Sequence, residues 1–346
     1  DTEFFYFYGA EMFLEIARFW ASIATYNPEL DRYEILEVMG PDEYHDHLPG
    51  ADHPGLNNNS YTNIMAVWVL CCALELLDML PHDRRQELCD RLEIDEEEMQ
   101  EWRQVSTKMR VVFHQDGIIS QFEGYEQLEE FDWEKHEKKY GNIQRLDRIL
   151  EAENDSPNHY KASKQADVLM LFYLFSSEEL HRLFDHMGYP FEYETIPKNI
   201  EYYMQRTSHG STLSRIVHSW VLARSDRPRS WQLFTKSLRS DLEDVQGGTT
   251  PEGIHLGAMA GTVDLVKRGY SGIELRKSAL WFNPSLPEEL NTLKMKIRYR
   301  GHSLEVHVTS DRLSIFSRKC EAEPIKIGFK EEIHELKGGE TLEFAF

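Results

Sequence analysis

Two hydrophobic periods divide this chain. Up to residue 272, apolar positions recur at three- and four-residue spacing, the period of helices. Phe13, Ile16, Ala17 and Trp20 fall on one such face. Ile64, Val67, Trp68, Cys71, Leu74 and Leu77 repeat the pattern after Asn57-Asn58-Asn59-Ser60, polar residues of the kind that cap a helix, and Pro81 ends it. Residues 166–175 are apolar nearly all round, which predicts a helix buried on most sides. Residues 216–223 and 231–242 continue the helical pattern. The acidic stretch 92–101 reads as a solvated helix face.

Beyond residue 272 the period becomes two. Leu293, Met295, Ile297 and Tyr299 alternate with Lys294, Lys296, Arg298 and Arg300, and after Gly301 the residues Leu304, Val306 and Val308 alternate likewise. Residues 313–316, 325–327 and 342–344 read as further short strands. The expectation is a mainly α chain of layered α/α architecture over 1–272, followed by a small antiparallel β domain over 273–346.

Composition narrows the functions. A formal charge of −22 over 346 residues excludes the basic footprint that nucleic acid requires. An anionic substrate would therefore have to be met by a local positive pocket and not by the overall field. No uninterrupted apolar run of about 18 residues stands out, so no membrane partner is expected. Cys71, Cys72, Cys89 and Cys320 show neither a CxxC pair nor metal spacing, and they read as free thiols of a reducing, cytoplasmic compartment.

The chemistry gathers in short segments. Gly40-Pro41-Asp42-Glu43-Tyr44-His45 sets two carboxylates on a Gly-Pro turn, and Asn58-Asn59-Ser60-Tyr61-Thr62-Asn63 follows it. Lys164-Gln165-Ala166-Asp167-Val168 stands directly before the buried apolar helix. Ser208-His209-Gly210-Ser211-Thr212-Leu213-Ser214 offers an imidazole, a glycine and hydroxyls at a helix start, the ingredients of an anion site. With Asp1-Thr2-Glu3 and Gly247-Gly248-Thr249-Thr250-Pro251-Glu252-Gly253-Ile254-His255, these segments resemble, in order, those of glycoside hydrolase family 65, the inverting phosphorylases and hydrolases of α-glucosides.

The resemblance implies an (α/α)6 barrel, incomplete in this chain, with a C-terminal β domain. It also implies that the chain is roughly the second half of a longer protein, whose N-terminal remainder would be its partner, and that the whole forms a homodimer. By the same resemblance Glu43 is the general acid. A glycosidic oxygen leaves poorly unless protonated, so that acid must hold its proton through burial or a neighbouring anion, for which Asp42 is available. Asp42 taken alone reads as an acceptor that fixes its loop, and Tyr44 and His45 as loop packing.

Asp1, Lys164 and Gln165 would bind sugar hydroxyls. His209, Ser211 and Ser214 would bind phosphate, with Arg206 and Arg215 as helpers, and Ser211 or Thr212 would also serve as an N-cap. In hydrolytic relatives a carboxylate base replaces the loop histidine, so His209 favours phosphorolysis. Gly210 and Thr212 depart from the best-known phosphorylases, and Glu252 is the carboxylate that would serve a hydrolase. The expected activity is phosphorolysis of trehalose, kojibiose or maltose to β-glucose 1-phosphate, with inorganic phosphate as co-substrate and neither metal nor cofactor. The alternatives are an inverting hydrolase and an inactive carbohydrate-binding fragment.

Overall fold

The structure is a computed structural model. It describes residues 2–115, 117–246, 248, 250–276 and 278–346. They fall into two compact units, one ending at Gly210 and one running Ser211–Phe346.

In the first unit the central element is the helix Ser60–Met79, against which Ala10–Ser22 and Glu96–Lys108 pack. Asn59 starts it, its side chain accepting the Thr62 N–H at 2.9 Å, and Pro81 follows its end. This helix is long and apolar enough, by length and composition, to cross a membrane. Ile64, Val67, Leu70, Ala73 and Leu77 are nevertheless buried within the unit, the placement of a core helix.

Helix Ala10–Ser22 buries Ala10, Leu14, Ala17 and Ala21. The face expected from Phe13, Ile16 and Trp20 is therefore rotated: Phe13 meets Trp68 edge-on at 6.2 Å, while Ile16 is exposed. Small alanines let the neighbouring helix approach and push the bulky residues to the flanks. Two short hairpins that the helical period does not predict, Ala24–Asn27 with Arg32–Ile35 and Phe113–His114 with Ile118–Ile119, interrupt the helices. The buried helix expected near 166–175 runs Val168–Leu174.

The second unit holds the helices Thr212–Leu222, Arg227–Leu238 and Leu256–Asp264 and then two four-stranded sheets. In one, Thr341–Ala345, Arg312–Ser317, His302–Thr309 and Thr292–Tyr299 are antiparallel throughout. In the other, Ile325–Phe329 pairs in parallel with Ala279–Phe282, and the outer pairs are antiparallel. Val306, Val308, Leu313, Ile315 and Ile327 form their shared core. The change of period at 272 lies inside this unit because the chain locks across it. The Ser285 N–H donates to the Tyr270 carbonyl at 2.8 Å and the Asn283 N–H to the Gly272 carbonyl at 3.1 Å. Leu286 and Leu290 pack on the helical core of Ala223, Phe234, Leu265 and Tyr270.

Candidate active site

Residues 40–45 are pinned from inside, and that turns one side chain outward. A Cβ on Gly40 would lie 2.3 Å from both Asn59 Nδ2 and Asp167 Oδ2, so only glycine fits there. Asp42 is buried and accepts three hydrogen bonds, from the Lys164 N–H at 2.8 Å, Gln121 Nε2 at 3.0 Å and His45 Nδ1 at 3.0 Å. His45 is fully buried, with its other nitrogen 2.8 Å from the Tyr160 carbonyl oxygen and its ring beside Phe122 and Tyr125. Tyr44 packs with Phe131, Leu146, Leu150 and Ala162, and its hydroxyl lies 2.9 Å from Ser208 Oγ. Burial pushes that hydroxyl well above the usual phenol range.

Glu43 points the other way. Its side chain is 59% exposed and its Oε2 sits 2.6 Å from Lys164 Nζ. The burial expected of a general acid is not what this chain provides. Asp42, offered above as its neighbouring anion, is committed to three donors in the core. Successive side chains of a bent loop leave on different sides, so adjacency in sequence did not put the two carboxyls together.

The segment 164–167 grips this loop residue by residue. The Lys164 N–H holds Asp42 and its ammonium holds Glu43, Gln165 Nε2 donates to the Pro41 carbonyl, and the Asp167 carboxyl lies against Gly40 and the Asp42 N–H. Lys164 and Gln165, expected at sugar hydroxyls, thus spend hydrogen bonds on positioning the loop 40–45. The first part of the expected phosphate loop lies on the same segment. Ser163 donates to the Arg206 carbonyl at 2.7 Å, Ser208 to that of Ser163 at 2.8 Å, and Gly210 to that of Lys164 at 2.9 Å, all through backbone N–H groups. A Cβ on Gly210 would come 2.4 Å from the Gln144 carbonyl oxygen.

Between Ser208 and Gly210, half-buried His209 adopts a left-handed backbone, φ 58°. That is uncommon for a residue with a side chain, and such residues gather at functional sites. Arg206 is not an available phosphate ligand. Its guanidinium pairs with Glu130 at 2.9 Å and stacks 3.8 Å over Tyr202.

In the second unit Ser211 caps helix Thr212–Leu222, accepting the Leu213 N–H at 3.3 Å. Ser214 and Arg215 are buried in its first turn, and burial pulls the Arg215 guanidinium below its ordinary value. His255 is oriented by Asp241, which accepts from its Nδ1 side at 2.7 Å and from its backbone N–H at 3.0 Å. Its Nε2 faces the Glu252 carboxylate at 3.7 Å. Asp1, Gly247 and Thr249 lie outside the described residues.

Asp167, Gln121 and Asp241, which the sequence gave no role, complete these arrangements with Asn59, which it marked as a cap alone. Of the three without a role, Asp167 carried a signal, an acidic residue directly before a helix that is apolar nearly all round.

Residues 1–264 match the family described as "Glycosyl hydrolase family 65 central catalytic domain", and residues 273–336 match "Glycosyl hydrolase family 65, C-terminal domain". The chain belongs to glycosyl hydrolase family 65. An uncharacterized glycosyl hydrolase of Mycobacterium tuberculosis (strain H37Rv) is 49% identical over 99% of this chain and 26% of its own length. The trehalose 6-phosphate phosphorylase of Lactococcus lactis subsp. lactis is 34% identical over 88% of this chain and 38% of its own length. The kojibiose phosphorylase of Caldanaerobacter subterraneus subsp. tengcongensis is 35% identical, over 95% and 40%.

Among solved structures, one described as "Putative kojibiose phosphorylase from human microbiome" superposes with a TM-score of 0.78 at 24% identity. It covers all of this chain and 47% of that one, and it supports the family 65 fold, helices first and a small sheet region after. The chain thus spans between a quarter and a half of the length of these relatives.

Proposed function

We propose that this family 65 chain carries the general-acid and phosphate-loop segments of an inverting phosphorylase for an α-glucosidic disaccharide, and that it acts as part of a longer protein. Glu43 protonates the leaving oxygen. Phosphate, met by His209, attacks the anomeric carbon from the opposite face and releases β-glucose 1-phosphate and a free sugar. The observation that carries the reading is the lacing of three distant segments, 40–45, 163–167 and 206–210, around one outward carboxyl. The buried polar groups behind residues 40–45 hold a loop whose outward side chain, Glu43, can transfer a proton.

Phosphorolysis is favoured over hydrolysis by the imidazole at 209 and by the relatives named as phosphorylases at 28–35% identity. One arrangement supports the hydrolase as a second reading: Asp241 fixes His255 so that it faces the exposed carboxylate of Glu252.

The test is to incubate the full-length protein with trehalose, trehalose 6-phosphate, kojibiose and maltose, with and without inorganic phosphate, and to measure glucose 1-phosphate. Cleavage that requires phosphate is expected on at least one of them. His209→Ala should then raise the phosphate requirement about tenfold or more and the disaccharide requirement far less, since a hydrogen bond to a charged group is worth roughly 1.5–3 kcal/mol. Full-rate cleavage without phosphate would replace this reading with the hydrolase, and Glu252 would be the base to mutate.

A further inference from the structure

Asp167 and Asp42 are two carboxyl groups buried side by side behind the acid loop, 3% and 1% exposed. Their surroundings differ. Asp42 accepts three hydrogen bonds of 2.8–3.0 Å. Among the described residues Asp167 has only longer contacts, from Asn59 Nδ2 at 3.2 Å and the Asp42 N–H at 3.4 Å. When two carboxyls share a buried site, the one with more donors holds the charge and the other holds a proton. Asp167 also touches the loop where it has no slack, since the space at Gly40 is closed by its Oδ2 and by Asn59.

We propose that Asp167 is a positioning residue for Glu43: a neutral carboxylic acid that seats residues 40–42, and whose ionisation displaces the loop and the acid it carries. The proposal rests on Glu43 being the general acid, and it is indifferent to whether phosphate or water attacks.

The groups facing Asp167 are Asp42 from the loop, Tyr61 from helix Ser60–Met79 and Tyr203 from helix Thr195–Met204, with His45 on the far side of Asp42. Asp42 opposes a second negative charge, and the two phenols raise no objection to a neutral acid. Burial, and then the Asp42 carboxylate, push the Asp167 carboxyl up to about 8. The folded protein therefore holds a proton that the unfolded chain releases near pH 4. Stability contributed by this group is complete at low pH and falls as pH rises, until the folded form ionises near 8. Above that, Asp167 and Asp42 repel, and the Gly40 backbone between Asp167 and Asn59 has to move.

The experiment compares the full-length wild type with Asp167→Asn, which keeps an oxygen acceptor and cannot ionise. Two readouts are taken from pH 5 to 9. The first needs no activity. The melting temperature of the wild type should fall relative to the variant as pH rises to about 8, and the gap should then level off. The second is kcat/KM for whichever cleavage the protein performs on its disaccharide. The wild type should lose activity above pH 8, and in Asp167→Asn, scaled to its own maximum, that alkaline limb should vanish or move by at least one pH unit. On α-glucosyl fluoride, whose leaving group needs little protonation, the limb should be weaker.

A melting gap independent of pH overturns the proposal. So does an identical alkaline limb in both proteins, which would leave Asp167 a purely structural acid. Should Asp167→Asn fail to fold, infrared difference spectra of the wild type decide. A buried carboxylic C=O band present at pH 7 and lost by pH 9 supports the proposal, and no such band refutes it. Phosphate-independent turnover with the limb still tied to Asp167 would overturn the phosphorylase reading alone.

Discussion

Glu43 shows what a single residue owes to its neighbours. Its carboxyl is 59% exposed, but the backbone beneath it is fixed at every adjacent position, by Gly40 against Asp167, Pro41 by Gln165, Asp42 by three donors, Tyr44 by Ser208 and His45 by the Tyr160 carbonyl. Positioning of this kind is what a general acid needs before its proton is useful. Glu43→Gln should leave melting behaviour unchanged, because the side chain is exposed and its shape is kept. It should lower turnover by at least about 10²-fold, at the low end for loss of a general acid. The loss should shrink on α-glucosyl fluoride, and an equal loss on both substrates removes Glu43 from the role. The sequence made the residue legible through its motif. It did not make the partners legible, since Asp42 meets Gln121 and Asp167 across 79 and 125 positions, and contacts that long leave no periodic trace.

At the scale of elements, the sequence marked those whose apolar faces are long and regular, such as Ser60–Met79 and Thr292–Tyr299. It missed Ala24–Asn27, Glu274–Arg276 and Glu332–Leu336, because strands this short, with mostly exposed or charged positions, have no face to alternate. The capping residue Asn59 was legible as a cap and not as the joint it also forms. Its oxygen accepts from Thr62 while its Nδ2 reaches the Gln121 carbonyl and Asp167. Asn59→Ala should cost about 1.5–5 kcal/mol, a cap of roughly 0.5–2 plus buried acceptors left unpaired at about 1–3. Ser176→Ala, which removes the capping box of helix Ser177–His186, should cost only about 1 kcal/mol. Equal costs in urea unfolding would mean that Asn59 is a cap and nothing more.

Helix Thr212–Leu222 carries a pH dependence of its own. His218 is fully buried and donates from Nδ1 to the Ser214 carbonyl at 2.7 Å, and burial pulls it down to about 4. The unfolded chain takes up a proton near pH 6.5 that the folded helix refuses, so stability is present above that pH and is lost as pH falls toward 4. The loss is on the order of 3 kcal/mol. His218→Gln should flatten the stability profile between pH 6.5 and 4, and an unchanged profile would assign the acid sensitivity elsewhere.

For the whole molecule, charge and apolar surface pull in opposite directions. A formal charge of −22 keeps copies of the chain apart. Against it, Phe4, Tyr8, Met12, Ile16 and Phe19 follow one another at helical spacing and are 53%, 68%, 55%, 39% and 56% exposed. Single exposed apolar residues are ordinary, but a continuous stripe of large ones is a surface that water leaves uncovered at a cost. Repulsion between charges about a Debye length apart fades with salt, to roughly 3 Å at 1 M, whereas apolar association does not. Residues 1–346 alone should therefore self-associate at micromolar concentration, and more strongly as salt rises. Sedimentation velocity at low and high salt reads this directly. Met12→Lys with Phe19→Lys should restore a monomer without lowering the melting temperature, since both side chains lie more than half in solvent. A wild-type chain that stays monomeric at high salt would show that the stripe is too weak to drive association.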